Sequence, residues 1–262
     1  MSPQPRHPSA GNLSVRPTAV PDPAPPEQID IFAFPHGGEG PGLPLQLGPG
    51  CDPDLSQRLI GHVEGRKVLL LGAGTGSDAI ALATAGARVI VVETSEDRLA
   101  EARAATEEAD VKIEFHHGDF ADIAFVRQDQ IDLALSIYAL SALEDLGRVF
   151  RQVHRVLRSD APLLFSLPHP STRTHTIEGP SPRMVRTDFD GTIGHWSVDD
   201  LEGEILPHRI GDVFTTLTRS NFRVDTLLEP TALESDAPGG HWSPLGEWMP
   251  LTVIFRGRKL GV

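Results

Sequence analysis

The sequence predicts an α/β fold built on a parallel sheet, and three observations carry that prediction. Val68 to Leu71 is an apolar, β-forming run that breaks at Gly72 into a loop with glycines at every second position, Gly72, Gly74 and Gly76, and turns helical from about Ser77. Apolar strands and segments of helical period then alternate between residues 67 and 167, a rhythm that gives parallel strands joined by right-handed crossovers. Finally, 262 residues at 39% apolar content can cover a twisted sheet on both faces. One large domain with a tail is expected.

Taken in order, residues 1–28 are rich in Pro with scattered Ser and Ala, too poor in apolar surface to fold, and are expected to be a disordered tail. The domain is expected over 29–262. Its first part, I-D-I-F-A-F at 29–34 and a Gly/Pro-rich passage to Gly50, contains Phe32, Phe34 and His36. Asp54 to Val63 reads as a helix with Leu55, Leu59 and Ile60 on one face. Ser77 to Ala85 is the first crossover helix, Ala87 to Val92 the second strand, and Ser95 the N-cap of a helix over Glu96 to Ala109. Strands follow at Lys112–His116 and Ile131–Ser136. Glu144 to Leu157 carries an apolar stripe, Leu146, Val149, Phe150, Val153 and Val156, that belongs against the sheet. Pro162 to Leu167 is the fifth strand.

Beyond Pro168 periodicity is lost until about Leu206. Phe189, Ile193 and Trp196 are expected in short strands or a hairpin around Asp190-Gly191-Thr192. Pro207 to Ser220 then reads as a helix, Phe222 to Leu228 as a strand, 231–248 as a loop and Leu251 to Phe255 as the last strand.

The glycine loop has its own chemistry. Glycines take positive φ at no steric cost and admit a ligand to main-chain N–H groups, while the helix start presents unpaired donors and partial positive charge. The site suits a nucleotide or another polar ligand. Its G-x-G-x-G-S spacing departs from the G-x-G-x-x-G dinucleotide fingerprint. Glu93 closes the second strand about twenty residues after the first glycine, where an acid can accept from both hydroxyls of a ribose.

Together G-A-G-T-G at 72–76, V-V-E-T-S at 91–95, H-G-D-F at 117–120, D-L-A-L-S-I-Y-A-L at 132–140 and L-T-R-S-N-F-R-V-D-T-L-L-E-P at 217–230 resemble the class I S-adenosylmethionine (SAM) dependent methyltransferases, most closely their small-molecule branch. The resemblance implies a Rossmann-like, doubly wound seven-stranded sheet of order 3-2-1-4-5-7-6 with the last strand antiparallel. It implies S-adenosyl-L-methionine as cofactor, held by Gly72, Ala73, Gly74, Gly76, Glu93, Thr94, Asp119, Phe120 and Ser136, with Asp119 and Phe120 at the adenine. Residues 29–62 would be a lid region and 169–206 a substrate-binding insertion. Tyr138, on the loop that faces the methyl group in the family, would pack against the sulfonium. One departure is Leu70, where many members carry an acid two residues before the first glycine.

Methyl transfer to a hydroxyl or ring carbon calls for a proton acceptor, and His169 and His208 are the candidates. The expected function is methyl transfer to a small molecule. A catalytically inactive SAM-binding fold with a regulatory role is the alternative, and an NAD-dependent oxidoreductase a third reading that the loop spacing weakens. A net charge of −13 argues against a nucleic-acid partner. The single cysteine, Cys51, excludes an internal disulfide and a cysteine-based metal cage, and no metal site is expected. No apolar run approaches eighteen residues, so a cytoplasmic protein without a membrane partner is expected, as monomer or homodimer.

Overall fold

The computed structural model describes residues 45–48, 51–177, 179–189, 191, 193–198, 201–231 and 244–261. The Pro-rich tail and Phe32, Phe34 and His36 of the expected lid region lie outside these. In chain order the strands are β1 (Lys67–Leu71), β2 (Arg88–Glu93), β3 (Ile113–His117), β4 (Leu133–Ile137), β5 (Pro162–Pro168), β6 (His175–Ile177), β7 (Pro182–Met184), β8 (Gly194–Val198), β9 (Leu201–Ile205), β10 (Phe222–Leu228) and β11 (Thr252–Lys259). The helices are α1 (Pro53–Ile60), α2 (Ser77–Thr84), α3 (Glu96–Glu108), α4 (Leu146–Val156), α5 (Ser171–Thr174) and α6 (Ile210–Arg219).

Seven strands form one sheet of order β3-β2-β1-β4-β5-β11-β10. β1 to β5 are mutually parallel, and β11 is antiparallel to both neighbours. This is the expected 3-2-1-4-5-7-6 order. The pleat sends alternate residues to opposite faces and so makes two cores. Leu69, Leu71, Ile90, Val92 and Phe165 meet the α4 stripe Val149, Phe150 and Val153 and Leu217 of α6. Val68, Leu70, Val91, Leu135 and Leu164 meet Leu47, Cys51, Ala79, Leu82 and Ala102 on the other side. Both faces are dry, which is why these strands read as continuous apolar runs.

Three expectations shift. α1 stops at Ile60 because Gly61, at φ 71°, turns the chain and returns its N–H to Gln57 O. β11 runs on to Lys259, since Arg256 and Arg258 pair with Asp225 of β10 and Gly257 makes room for Phe222, whose Cβ would lie 3.1 Å from an added Cβ. The insertion holds two hairpins, β6–β7 and β8–β9. The second pairs Val198 with Leu201, and Asp190 and Thr192 of the expected turn lie outside the described residues. Phe189 lies outside both hairpins, 79% exposed, with the Arg209 guanidinium 4.7 Å from its ring centre.

Because β1 to β5 are parallel and β10 runs with them, Gly72, Glu93, Gly118, Tyr138, His169 and Glu229 all follow the carboxyl ends of strands. Open α/β sheets bind ligands at that edge.

Candidate functional site

The glycine loop is shaped by packing on two sides and open on the third. Gly72, Gly74 and Gly76 have φ of 96°, 52° and 96°. A Cβ on Gly72 would come 2.4 Å from the Ala139 Cβ, and one on Gly76 would meet the Ala102 backbone of α3 at 3.0 Å. A Cβ on Gly74 would meet nothing within 4 Å. Two glycines therefore let neighbouring elements close on the loop, and the middle one faces free space. Gly76 is also the N-cap of α2 and supplies no side-chain cap, so the helix start stays open to a ligand acceptor.

Glu93 ties this loop to β2. The residue is 2% exposed. Its Oε2 accepts from the Ala73 N–H at 2.8 Å, and Oε1 accepts from the N–H groups of Thr94 (2.7 Å) and Ser95 (2.9 Å). A carboxylate offers about four acceptor positions, so Oε2, bonded to Ala73 N–H, keeps room for a ribose hydroxyl. Thr94 itself is exposed, its hydroxyl 3.3 Å from Glu93 Oε1. Burial lowers the Arg98 pKa against the opposing pull of Glu93 and Glu101.

The next two loops complete the edge. The Gly118 N–H donates to Glu93 O at 2.9 Å, which places Asp119 beside the end of β2. Asp119 is exposed; Oδ1 accepts the Ala121 N–H at 2.8 Å, and Oδ2 lies 3.7 Å from Arg148. Phe120 is 2% exposed and belongs to the core, so its ring anchors the loop. Ser136 is wholly buried and donates to Leu71 O at 3.0 Å, holding β4 to β1. The open space at Gly74, the uncapped start of α2 and the spare acceptor on Glu93 fit the adenosyl group and amino-acid end of SAM.

At the position of the missing acid, Leu70 is 1% exposed in the apolar cluster with Leu47 and Cys51. A carboxylate there would be enclosed by hydrocarbon. Sequence reasoning passed over Asp78, in the first turn of α2. It is half-buried, and burial pushes its carboxyl up to about 7. As an acid at a helix start it reads as a complement to the helix dipole, and only the fold shows what surrounds it.

The three candidates for chemistry fare differently. His169 is 8% exposed; its Nδ1 accepts the Ser171 N–H at 3.1 Å, which puts the proton on Nε2, and Nε2 lies 2.7 Å from Glu229 Oε1. Both nitrogens are occupied, so His169 has no lone pair for a substrate proton. His208 differs: its Nε2 is buried without a partner. Burial lowers its pKa, and the adjacent Leu206 N–H bonds Ser141 O at 2.9 Å, joining the end of the insertion to the turn after β4. Tyr138 is fully buried, with its hydroxyl bonded to Thr252 Oγ1 and burial raising its pKa. Its ring presents no accessible face to a sulfonium. The backbone there is at φ 57°, a left-handed conformation that costs a non-glycine residue about 1–3 kcal/mol and is met at functional turns. Glu229 was not singled out from the sequence. Its signal was the Glu-Pro that ends β10.

Comparison with known proteins agrees with this geometry. Residues 68–160 match the family described as a methyltransferase domain. Demethylmenaquinone methyltransferase of Clavibacter sepedonicus is 32% identical over 38% of this chain and 40% of its own length. Ubiquinone biosynthesis O-methyltransferase of Pseudomonas syringae pv. tomato is 30% identical over 40% of this chain and 45% of its own. The chain spans 64% or less of the length of the curated relatives it matches. Among solved structures, an S-adenosylmethionine dependent methyltransferase from Mesorhizobium loti superposes with a TM-score of 0.62 at 24% identity, over 79% of this chain and 96% of that one. A Listeria monocytogenes structure described in the same terms gives 0.64 at 20% identity, over 79% and 96%. At these identities the likeness to the two solved structures is one of fold.

Proposed function

We propose that this chain is a class I SAM-dependent methyltransferase and transfers a methyl group to a small organic acceptor; the methyltransferase-domain match over residues 68–160 and the fold support the reading. The observation that carries the reading is the Glu93 carboxylate, buried and locked to the Ala73 N–H of the glycine loop with one acceptor position left over. A carboxylate so held is preorganised to take a ribose hydroxyl without paying for its own ordering.

SAM, once bound, supplies an activated methyl on a sulfonium. The chain's own residues then have two tasks, to hold an acceptor in line with that methyl and to receive the acceptor's proton. Orientation alone lowers such a barrier by several kcal/mol. For an oxygen or carbon acceptor the remaining proton acceptor is His208, whose imidazole burial keeps neutral and whose Nε2, enclosed without a partner in the free chain, the bound acceptor would have to uncover. The insertion, residues 169–206, forms the acceptor side, and His169 positions it through Glu229. A small acceptor is favoured by the net charge of −13 and by the names of the quinone-pathway relatives.

Calorimetric titration with S-adenosylhomocysteine, SAM and NAD in parallel tests the cofactor. The first two should bind and NAD should not, and Glu93→Gln should weaken S-adenosylhomocysteine about a hundredfold, or ~2.7 kcal/mol. Unchanged affinity in Glu93→Gln would remove the ribose assignment.

A further inference from the structure

The opposite edge of the sheet carries positive charge in a row. Lys67 of β1 is the register partner of Arg88 of β2. Lys112 directly precedes Ile113, the β3 residue paired with Val89, so it stands level with Arg88. Neighbouring strands lie about 4.8 Å apart, and three cations therefore stand abreast at the amino ends of β1, β2 and β3. The glycine loop begins beyond the other end of β1, four residue steps or about 13 Å along the strand.

The row borders an open cleft of about 1180 Å³. Arg103 of α3 and Arg158, two residues after α4, add two guanidinium groups to its lining, and Glu107, Asp110 and Glu114 add three carboxylates. The lining thus keeps a surplus of positive charge on a chain of net −13. Asp132, level with Lys67 on the β4 side, is already taken by the Lys67 N–H at 2.8 Å and by Arg158 at 2.6 Å. Arg88 donates to Gly65 O at 2.9 Å and has further N–H donors to spare. Arg103 lies over the Phe115 ring, 5.9 Å from its centre. Among the described residues neither the Lys67 nor the Lys112 ammonium has an ion-pair partner.

Like charges held side by side repel, and an anion from outside the chain turns that repulsion into attraction. We propose that this cleft binds a small ligand carrying a di- or triphosphate, at a site separate from the edge that holds the glycine loop. Adjacent phosphates can reach from one strand's cation to the next, and a phosphate accepts from a Lys ammonium and an Arg fork alike. Charge also limits the ligand's size. A modest local surplus suits one compact polyanion, whereas a long one would run onto the acidic remainder of the surface. The assignment is independent of the SAM reading.

Calorimetry on the full chain with pyrophosphate, orthophosphate and sulfate at one ionic strength tests it. Pyrophosphate should bind one-to-one, about tenfold more tightly than either smaller anion, and added S-adenosylhomocysteine should not displace it. Arg88→Ala and Lys112→Glu, both at exposed positions, should each weaken pyrophosphate about tenfold while leaving the melting midpoint where it was. No preference for pyrophosphate over sulfate, unchanged affinity in both variants, or displacement by S-adenosylhomocysteine would overturn the assignment.

Discussion

The two ends of the sheet hold their polar groups in different ways. At the β1–β2–β3 end the site is made of backbone: three glycines, the open start of α2, and a carboxylate whose partners are main-chain N–H groups of Ala73, Thr94 and Ser95. At the β5–β11–β10 end it is made of side-chain pairs. His169 bonds Glu229 from 60 residues away, Arg173 pairs with Asp188, and Asp225 joins Arg256 and Arg258. Backbone sites tolerate sequence change everywhere except where a side chain would intrude. Side-chain sites can be rewired pair by pair.

The sharpest way to break this contrast lies within the glycine loop. Gly72→Ala places a Cβ 2.4 Å from Ala139 at φ 96°, and should destabilise the fold by ~3 kcal/mol or more, since both strain and overpacking act. Gly74→Ala adds a Cβ in free space at φ 52°, and should cost about 1 kcal/mol in stability while weakening S-adenosylhomocysteine tenfold or more. Denaturant melts and calorimetry on the two variants separate the roles. Equal stability losses would mean that Gly74 also serves packing.

That distinction marks how far the sequence could be read. Local signals sufficed at the first end: Gly72 to Gly76 follow an apolar strand, Glu93 closes the next, and Ser95 does cap α3 through the Arg98 N–H. The sheet order was legible too, through the resemblance. What could not be read were contacts between distant positions. Nothing local to Pro168-His169 names Glu229 as a partner, and Tyr138 looked accessible because its burial depends on Thr252, 114 residues later. Trp196 does fall in a short strand, β8, but nothing local to it names Leu201–Ile205 as the strand it pairs with.

A milder effect should separate the ends by cofactor affinity. Glu229→Ala and His169→Ala each remove the 2.7 Å pair and should destabilise by about 1–3 kcal/mol, with S-adenosylhomocysteine affinity unchanged. The double variant should lose less than the sum, because the two residues share one interaction. Additive losses in chemical denaturation, or a fall in cofactor affinity, would place the pair elsewhere in the energetics.

The smallest effect lies at the sheet edge. Asp225 is in contact with Arg256 at 2.8 Å and Arg258 at 2.6 Å. Burial raises its pKa, but the hydrogen bonds from the two arginines outweigh that and leave it below the ordinary carboxylate range. A folded pKa below the unfolded value means that the unfolded chain takes up the proton first as pH falls. The contribution is therefore complete above the unfolded value of about 3.9 and is lost as pH drops through the folded one. Asp225→Asn should cost ~1 kcal/mol at pH 7, as partly screened pairs do, and should narrow its gap to the unsubstituted chain on acidification. Asp78 carries the opposite sign. Its pKa of about 7 means that stability falls as pH rises from about 4 to 7, so Asp78→Asn should melt higher than the unsubstituted chain at pH 8 and level with it at pH 4. One pair of thermal melts across pH would thus show a carboxylate placed to hold the sheet together and another kept at the fold's expense, and a matching pH trend in the two variants would contradict the division between the two ends.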